Sequence, residues 1–230
     1  MCTVTFIATT SGAIITSNRD EHVLRTALPP EKRIYNLKTF VFPKDPAAGG
    51  TWYATDGTET VVVLLNGAAE KHKHLPPYRR SRGLIVLDLI SSDHAISEWD
   101  FIDLDQVEPF TIVLFFEKKL YQLQWNGTDK TTLELDASHN YIWSSSTLYA
   151  PEIRKQRTKW FADFLEKEPE ITAEKMFQFH RYTENSDSNN GLVISRNDVL
   201  KTLSITQCII NCNSIEMHYH DLLSNENFIV

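Results

Sequence analysis

Residues 2–21 read CTVTFIATTSGAIITSNRDE, and the fold follows from how this stretch is parsed. Cys2, Val4, Phe6 and Ala8 fall on one side of an extended chain, and Thr3, Thr5, Ile7 and Thr9 on the other. That period of two predicts a strand over residues 2–9 with one drier face. Ser11-Gly12 is a turn signal, and residues 13–18 predict a second strand, so the chain opens as a hairpin. The polar cluster Asn18-Arg19-Asp20-Glu21 comes at its end. A hairpin sets the start of its first strand beside the end of its second, which places this cluster near Cys2.

Three features of the chain could carry chemistry, two of them in this region. If Met1 alone is removed, Cys2 becomes a first residue with both a thiol and a free α-amine. The thiolate is the nucleophile, and an α-amine of pKa about 7.7–8.0 is partly unprotonated near neutrality. Nucleophile and base then belong to one residue. A carboxylate from Asp20 or Glu21 would hold the amine, and Arg19 would lower the thiol pKa or bind a substrate carboxylate. Further along, Asn66 ends an apolar run just before Gly67. Its side-chain amide, with adjacent backbone N–H groups, could receive a developing oxyanion.

Working outward, β signals dominate the first two-thirds of the chain. Prolines at 29–30, 43 and 46 bound an extended stretch. Strands are expected over 51–55 and 60–65, joined by an Asp56-Gly57 turn. Short helices follow over 83–90 and 95–104, then strands over 110–116, 120–125 and 131–135. The clearest helix covers 151–166, with Pro151 at its first position. Its apolar stripe is Ile153, Trp160, Phe161, Phe164 and Leu165, opposite a polar face of Arg154, Lys155, Arg157 and Lys159. Thr172 can cap a second helix over 173–181. Residues 183–191 read as a mobile loop, and two strands over 203–211 and 214–220 close the chain. No linker divides it, so one domain over 1–230 is expected. Hairpins with late helices indicate an α+β fold of layered sheets with helices outside.

Composition narrows the function. The 230 residues carry 42% hydrophobic and 23% charged side chains, a globular balance. The net charge of −7 argues against general nucleic-acid binding. Three cysteines, an odd number, argue against a disulfide framework. The longest apolar runs fall far short of the roughly 20 residues of a membrane span. With no secretory signal visible, a cytoplasmic location is expected.

Several motifs occur together and in order: Met1-Cys2-Thr3, Ser17-Asn18-Arg19-Asp20-Glu21, Ala48-Gly49-Gly50-Thr51-Trp52, Leu65-Asn66-Gly67 and Arg80-Ser81-Arg82-Gly83. Together they resemble the NRDE family, relatives of the transport and Golgi organisation protein 2. The resemblance implies an N-terminal-nucleophile hydrolase-like fold, a four-layer αββα sandwich of two antiparallel sheets. The start is also similar to the choloylglycine hydrolases and penicillin V acylases, which cleave linear amides with an N-terminal cysteine. It implies Cys2, Arg19, Asp20 and Asn66 as the catalytic set. Two departures stand out. Many family members carry Ser-Asn where this chain has Ser145-Ser146, and an arginine near the position of Leu203.

The candidate substrate- or anion-binding residues are Glu21, Ser145, Arg79 and Arg82, the last two from a basic segment over 71–82. No cofactor is expected. His72/His74 and His218/His220 lack the Cys or carboxylate neighbours of a metal site. The expected activity is hydrolysis of a linear amide in a small, anionic and hydrophobic molecule. The alternative is a binding or carrier protein for haem or acyl ligands on the same fold.

Overall fold

The computed structural model describes residues 3–212 and 214–230. The elements in chain order are β1 (Thr3–Thr9), β2 (Gly12–His22), β3 (Leu28–Tyr35), β4 (Lys38–Lys44), β5 (Tyr53–Thr55), β6 (Val61–Asn66), α1 (Arg82–Ser91) and α2 (Ala95–Phe101). Then come β7 (Phe110–Phe116), β8 (Lys119–Trp125), β9 (Lys130–Leu135), β10 (Tyr141–Ser144), α3 (Pro151–Lys167) and α4 (Ala173–Tyr182). The chain ends with β11 (Ser195–Arg196), β12 (Leu200–Asn211), β13 (Ser214–Asp221) and β14 (Glu226–Ile229).

Two antiparallel sheets result. One runs β10-β1-β2-β12-β13-β14, with β11 against β12, and the other runs β3 to β9 in sequence order. The first sheet joins the chain's start to its end, so its pairings span nearly the whole sequence. The second is a meander of neighbours. Val61 to Leu65 are buried on both faces because β6 lies between the opposite sheet and α1. α3 and α4 cover the first sheet's outer face, where Ile7 and Ile14 meet Phe161, Met176, Phe179 and Leu192. Val4, Phe6 and Ile15 point the other way, into the core between the sheets. The expected α+β architecture of layered sheets with helices outside is the one observed.

Both faces of β1 are therefore dry, including the threonine face. Burying those hydroxyls requires partners. The Thr3 hydroxyl oxygen accepts from Arg157 Nη1 at 2.5 Å. Thr5 Oγ1 lies 2.8 Å from His180 Nε2, and His180 Nδ1 lies 2.6 Å from Asn18 Oδ1. Since Asn18 Oδ1 only accepts, the imidazole proton sits on Nδ1, and Thr5 donates to Nε2. Asn18 Nδ2 in turn donates to the carbonyls of His180 and Leu192.

Several expectations change. The second strand does not stop at Asn18. It continues to His22 because β12 runs beside it, from Ile210↔Ala13 to Leu200↔His22, and satisfies its backbone. The polar cluster is thus strand rather than hairpin end. Pro29 and Pro30 lie inside β3, an edge strand where a missing N–H is tolerated. α2 stops at Phe101 rather than 104, and β10 and β14 went unanticipated, being short and flanked by polar turns. Arg157, assigned to the polar face of its helix, is 0% exposed. The 183–191 segment is built into the structure: its Asn190 and Gly191 carbonyls accept from Arg157.

The buried His180 gives the fold a pH signature. Burial, reinforced by the nearby Arg157 cation, pushes its pKa down to about 3. An unfolded histidine titrates near 6.5. Below that value the unfolded chain takes up a proton that the folded chain refuses, so stability falls as pH drops. The expected slope between pH 6.5 and 5 approaches about 1.4 kcal/mol per pH unit. Urea denaturation across this range checks it, and the slope should flatten in His180→Gln.

Candidate functional site

Alternation along β2 sorts its polar cluster onto two faces. Asn18 and Asp20 lie on the helix side, Arg19 and Glu21 on the other. Arg19 and Asp20 are both buried, at 3% and 2% exposure, because β12 runs alongside with a register shift between Thr202 and Ser204. Leu203 sits buried within that irregularity.

Arg19, Glu21, Asn66 and Arg82 come together in a cleft also lined by Arg25, Asp45, Trp52, Leu64 and Ser81. Backbone contact shapes one wall. A Cβ on Gly50 would stand 2.4 Å from the Gly83 carbonyl carbon, so the loop before β5 and the start of α1 can meet only as glycines. Arg25 bridges two carboxylates, with Nη2 2.6 Å from Asp45 and Nη1 3.1 Å from Glu21, and its pKa is raised by them. Arg82 pairs with Glu108 at 2.9 Å, while its own burial pulls its pKa down.

Arg19 is held differently. Its guanidinium lies 4.3 Å from the Trp52 ring centroid, and Nη1 has no hydrogen-bond partner. Burial lowers its pKa, opposed through space by Glu21 and Asp45. Among the described residues it is the cleft's one arginine without an ion pair.

Asp20 occupies a separate, enclosed setting. Tyr149 donates its hydroxyl to Oδ2 at 2.7 Å and Thr202 donates to Oδ1 at 2.5 Å. Of the two carboxylates proposed to hold an amine, Glu21 is engaged by Arg25 in the cleft, and Asp20 faces the helix layer.

Asn66 ends β6 with its backbone carbonyl accepting from Ser145 Oγ at 2.7 Å. The expectation that neighbouring backbone N–H groups assist it is corrected in part. The Gly67 N–H already donates to the Pro109 carbonyl at 3.0 Å, which leaves the Asn66 side chain as the available amide donor there. Ser145 lines a neighbouring cleft with Trp143 and Arg154, and its hydroxyl donates to the Asn66 carbonyl. Ser146 donates to the Glu70 carbonyl. Arg79 lies outside the Arg19 cleft, paired with Asp103 and bonded to the carbonyls of Asp103 and Asp105. His72 and His74 do share a carboxylate, both lying 3.1 Å from Glu108 Oε1. Among the described residues no three His, Cys, Asp or Glu side chains are grouped to hold a metal.

Cys2 lies outside the described residues. The residue after it, Thr3, is registered with Asn18 on β2 and Ser144 on β10, so Arg19 and Ser145 are the next positions along the neighbouring chain segments.

The family model for Transport and Golgi organisation 2 matches residues 1–219. The chain belongs to that family. No curated protein matches it in sequence. Among solved structures, it is similar to the Caenorhabditis elegans ortholog of N-acylethanolamine-hydrolyzing acid amidase, with TM-score 0.62 and 11% identity over 90% of this chain and 92% of that one. It is also similar to a variant of the conjugated bile acid hydrolase from Clostridium perfringens, with TM-score 0.58 and 7% identity over 100% of this chain and 92% of that one. At such identities the likeness establishes the N-terminal-nucleophile hydrolase-like fold expected of the family. Among the described residues no helix is long and apolar enough to cross a membrane.

Sequence reading missed Arg25, Asp45, Tyr149 and Thr202. Asp45, Tyr149 and Thr202 act through partners distant in sequence, and Arg25 joins the nearby Glu21 to the distant Asp45. Trp52 was present only as part of a resemblance motif. The two described cysteines differ sharply. Cys208 is buried, its pKa pushed up to about 12 by desolvation, whereas Cys212 is exposed. Thiolate is the reactive form. Native alkylation near pH 8 should therefore label Cys212 and spare Cys208, as read by peptide mass. Equal labelling would contradict the packing around Tyr53 and Cys208.

Proposed function

We propose that this protein is an N-terminal-cysteine hydrolase of C–N bonds in small linear amides. The observation that carries the reading is the cleft in which Arg19, stacked on Trp52, and the Asn66 amide stand together, next in register to the chain's first described residue. The hydrolase-like fold and the two amide- or conjugate-cleaving structural neighbours support it.

The proposed reaction needs Met1 to be removed. The Cys2 thiol passes its proton to the α-amine, and the sulfur attacks the amide carbon. The oxyanion that forms is met by the Asn66 side chain. The C–N bond then breaks, and the leaving amine takes the proton from the α-ammonium. Water attacks the resulting thioester and releases the carboxylic acid, and the sulfur regains its proton. Asp20 positions the α-amine. Arg19 supplies a positive field that favours thiolate, and Glu21 and Arg82 shape the cleft. A small anionic molecule is the proposed substrate, and the cytoplasm the proposed compartment.

One observation favours the second reading, a carrier of haem or acyl ligands without turnover. The Gly67 N–H and Ser146 hydroxyl are already engaged, which leaves few oxyanion donors.

Intact mass of protein from its native host, with an amide panel and an electrophilic acyl probe, tests the proposal. The mass should lack Met1, the probe should label Cys2, and turnover should vanish in Cys2→Ala. Asn66→Ala should lower kcat about 10²–10³-fold. Retained Met1, or haem or acyl-CoA binding that persists in Cys2→Ala with no turnover anywhere in the panel, would reject the hydrolase.

A further inference from the structure

A chain of buried contacts links α3 to Asp20, and its residues lie outside the catalytic set above. Arg157 is 0% exposed and has no carboxylate partner among the described residues. Its Nη1 donates to Thr3 Oγ1 at 2.5 Å, and its Nη2 donates to the carbonyls of Gly191 and Asn190 at 2.5 and 3.0 Å. The guanidinium carbon stands 3.6 Å from the centroid of the Tyr149 ring. Arg196 also stacks on that ring, at 5.1 Å, and is itself held by the carbonyls of Asn189 and Leu148. With its ring packed against two guanidiniums, Tyr149 presents its hydroxyl to Asp20 Oδ2 at 2.7 Å. Thr202 holds the other oxygen.

This arrangement is costly as mere packing. A buried guanidinium without an anion must be repaid by good hydrogen bonds and ring contacts. Here those contacts fall on two things at once, the threonine that follows Cys2 and the tyrosine that orients Asp20. We infer that Arg157 and Tyr149 are positioning residues, fixing the chain start and the Asp20 carboxylate relative to one another so that the Cys2 amine and thiol are activated.

The inference rests on the proposed N-terminal-cysteine chemistry, and its test is chosen to stand apart from turnover. Tyr149→Phe removes one hydroxyl while keeping the ring that both guanidiniums touch. The readout is the rate at which a thiol-directed acyl electrophile labels Cys2 in Met1-free protein, measured from pH 5 to 9. Exposed Cys212 in the same molecule serves as the reference. Expected for Tyr149→Phe are a roughly tenfold slower Cys2 rate, a displaced pH midpoint and an unchanged Cys212 rate, estimated on the scale of one lost charge-assisted hydrogen bond. Arg157→Lys should retain part of the wild-type rate, and Arg157→Met less. An unchanged Cys2 rate and pH midpoint in Tyr149→Phe would overturn the inference. So would Cys2 and Cys212 slowing together, which would mark a general loss of structure. If wild-type Cys2 labels fast but no amide is turned over, the hydrolase reading fails while the positioning inference stands or falls on the variants.

Discussion

Buried Arg157 ties Thr3, the first described residue, to the helical layer. Arg157 sits in the helical layer with no ion-paired carboxylate among the described residues, and its charge is met by two carbonyls, one hydroxyl and one aromatic face. Removing a guanidinium from water costs several kcal/mol unless its geometry is well satisfied. The groups that satisfy it come from β1, from the loop after α4 and from the segment leading into α3. These three pieces, far apart in sequence, are thus drawn to one point. His180 on α4 makes a second such tie, joining Thr5 and Asn18 through a neutral imidazole.

The consequence for chemistry lies in the two faces of β2. Because successive side chains alternate, Asn18 and Asp20 enter the polar network under the helices, while Arg19 and Glu21 enter the cleft on the far side. One short stretch of strand thereby serves two environments. The helix side is enclosed and hydrogen-bonded throughout. The cleft side holds carboxylates neutralised by Arg25 and leaves Arg19 stacked on Trp52 with hydrogen-bonding capacity in reserve. In the proposed chemistry the carboxylate that positions the amine and the arginine that supplies the field thus come from opposite faces of one strand.

Much of the scaffold was readable locally. The strand over residues 3–9, the Ser11-Gly12 turn, the valine run of β6 and the Pro151 start of α3 each depend on neighbours a few positions away, and each is present in the structure, although the threonine face of β1 is buried rather than wetter. The motifs of the first 90 residues likewise carried the family. The readings that failed share a cause. β2 outlasts its expected end because β12, about 180 residues later, supplies its hydrogen bonds. Arg157 reads as a solvated residue on its helix because nothing nearby in sequence reveals the pocket of carbonyls that receives it. Nor does local sequence show that the Ser145 hydroxyl meets the Asn66 carbonyl or that Arg79 pairs with Asp103.

The amino-acid sequence alone determined the layered α+β fold, the family and a short set of polar residues near the chain's beginning, since periodicity, turns and motifs are properties of adjacent residues. The tertiary structure alone decided which of those residues share a cleft, which hydroxyls and N–H groups remain free to act, and which buried groups hold Asp20. Those depend on pairings between distant segments, where burial makes every unmatched polar group expensive and so dictates who must meet whom.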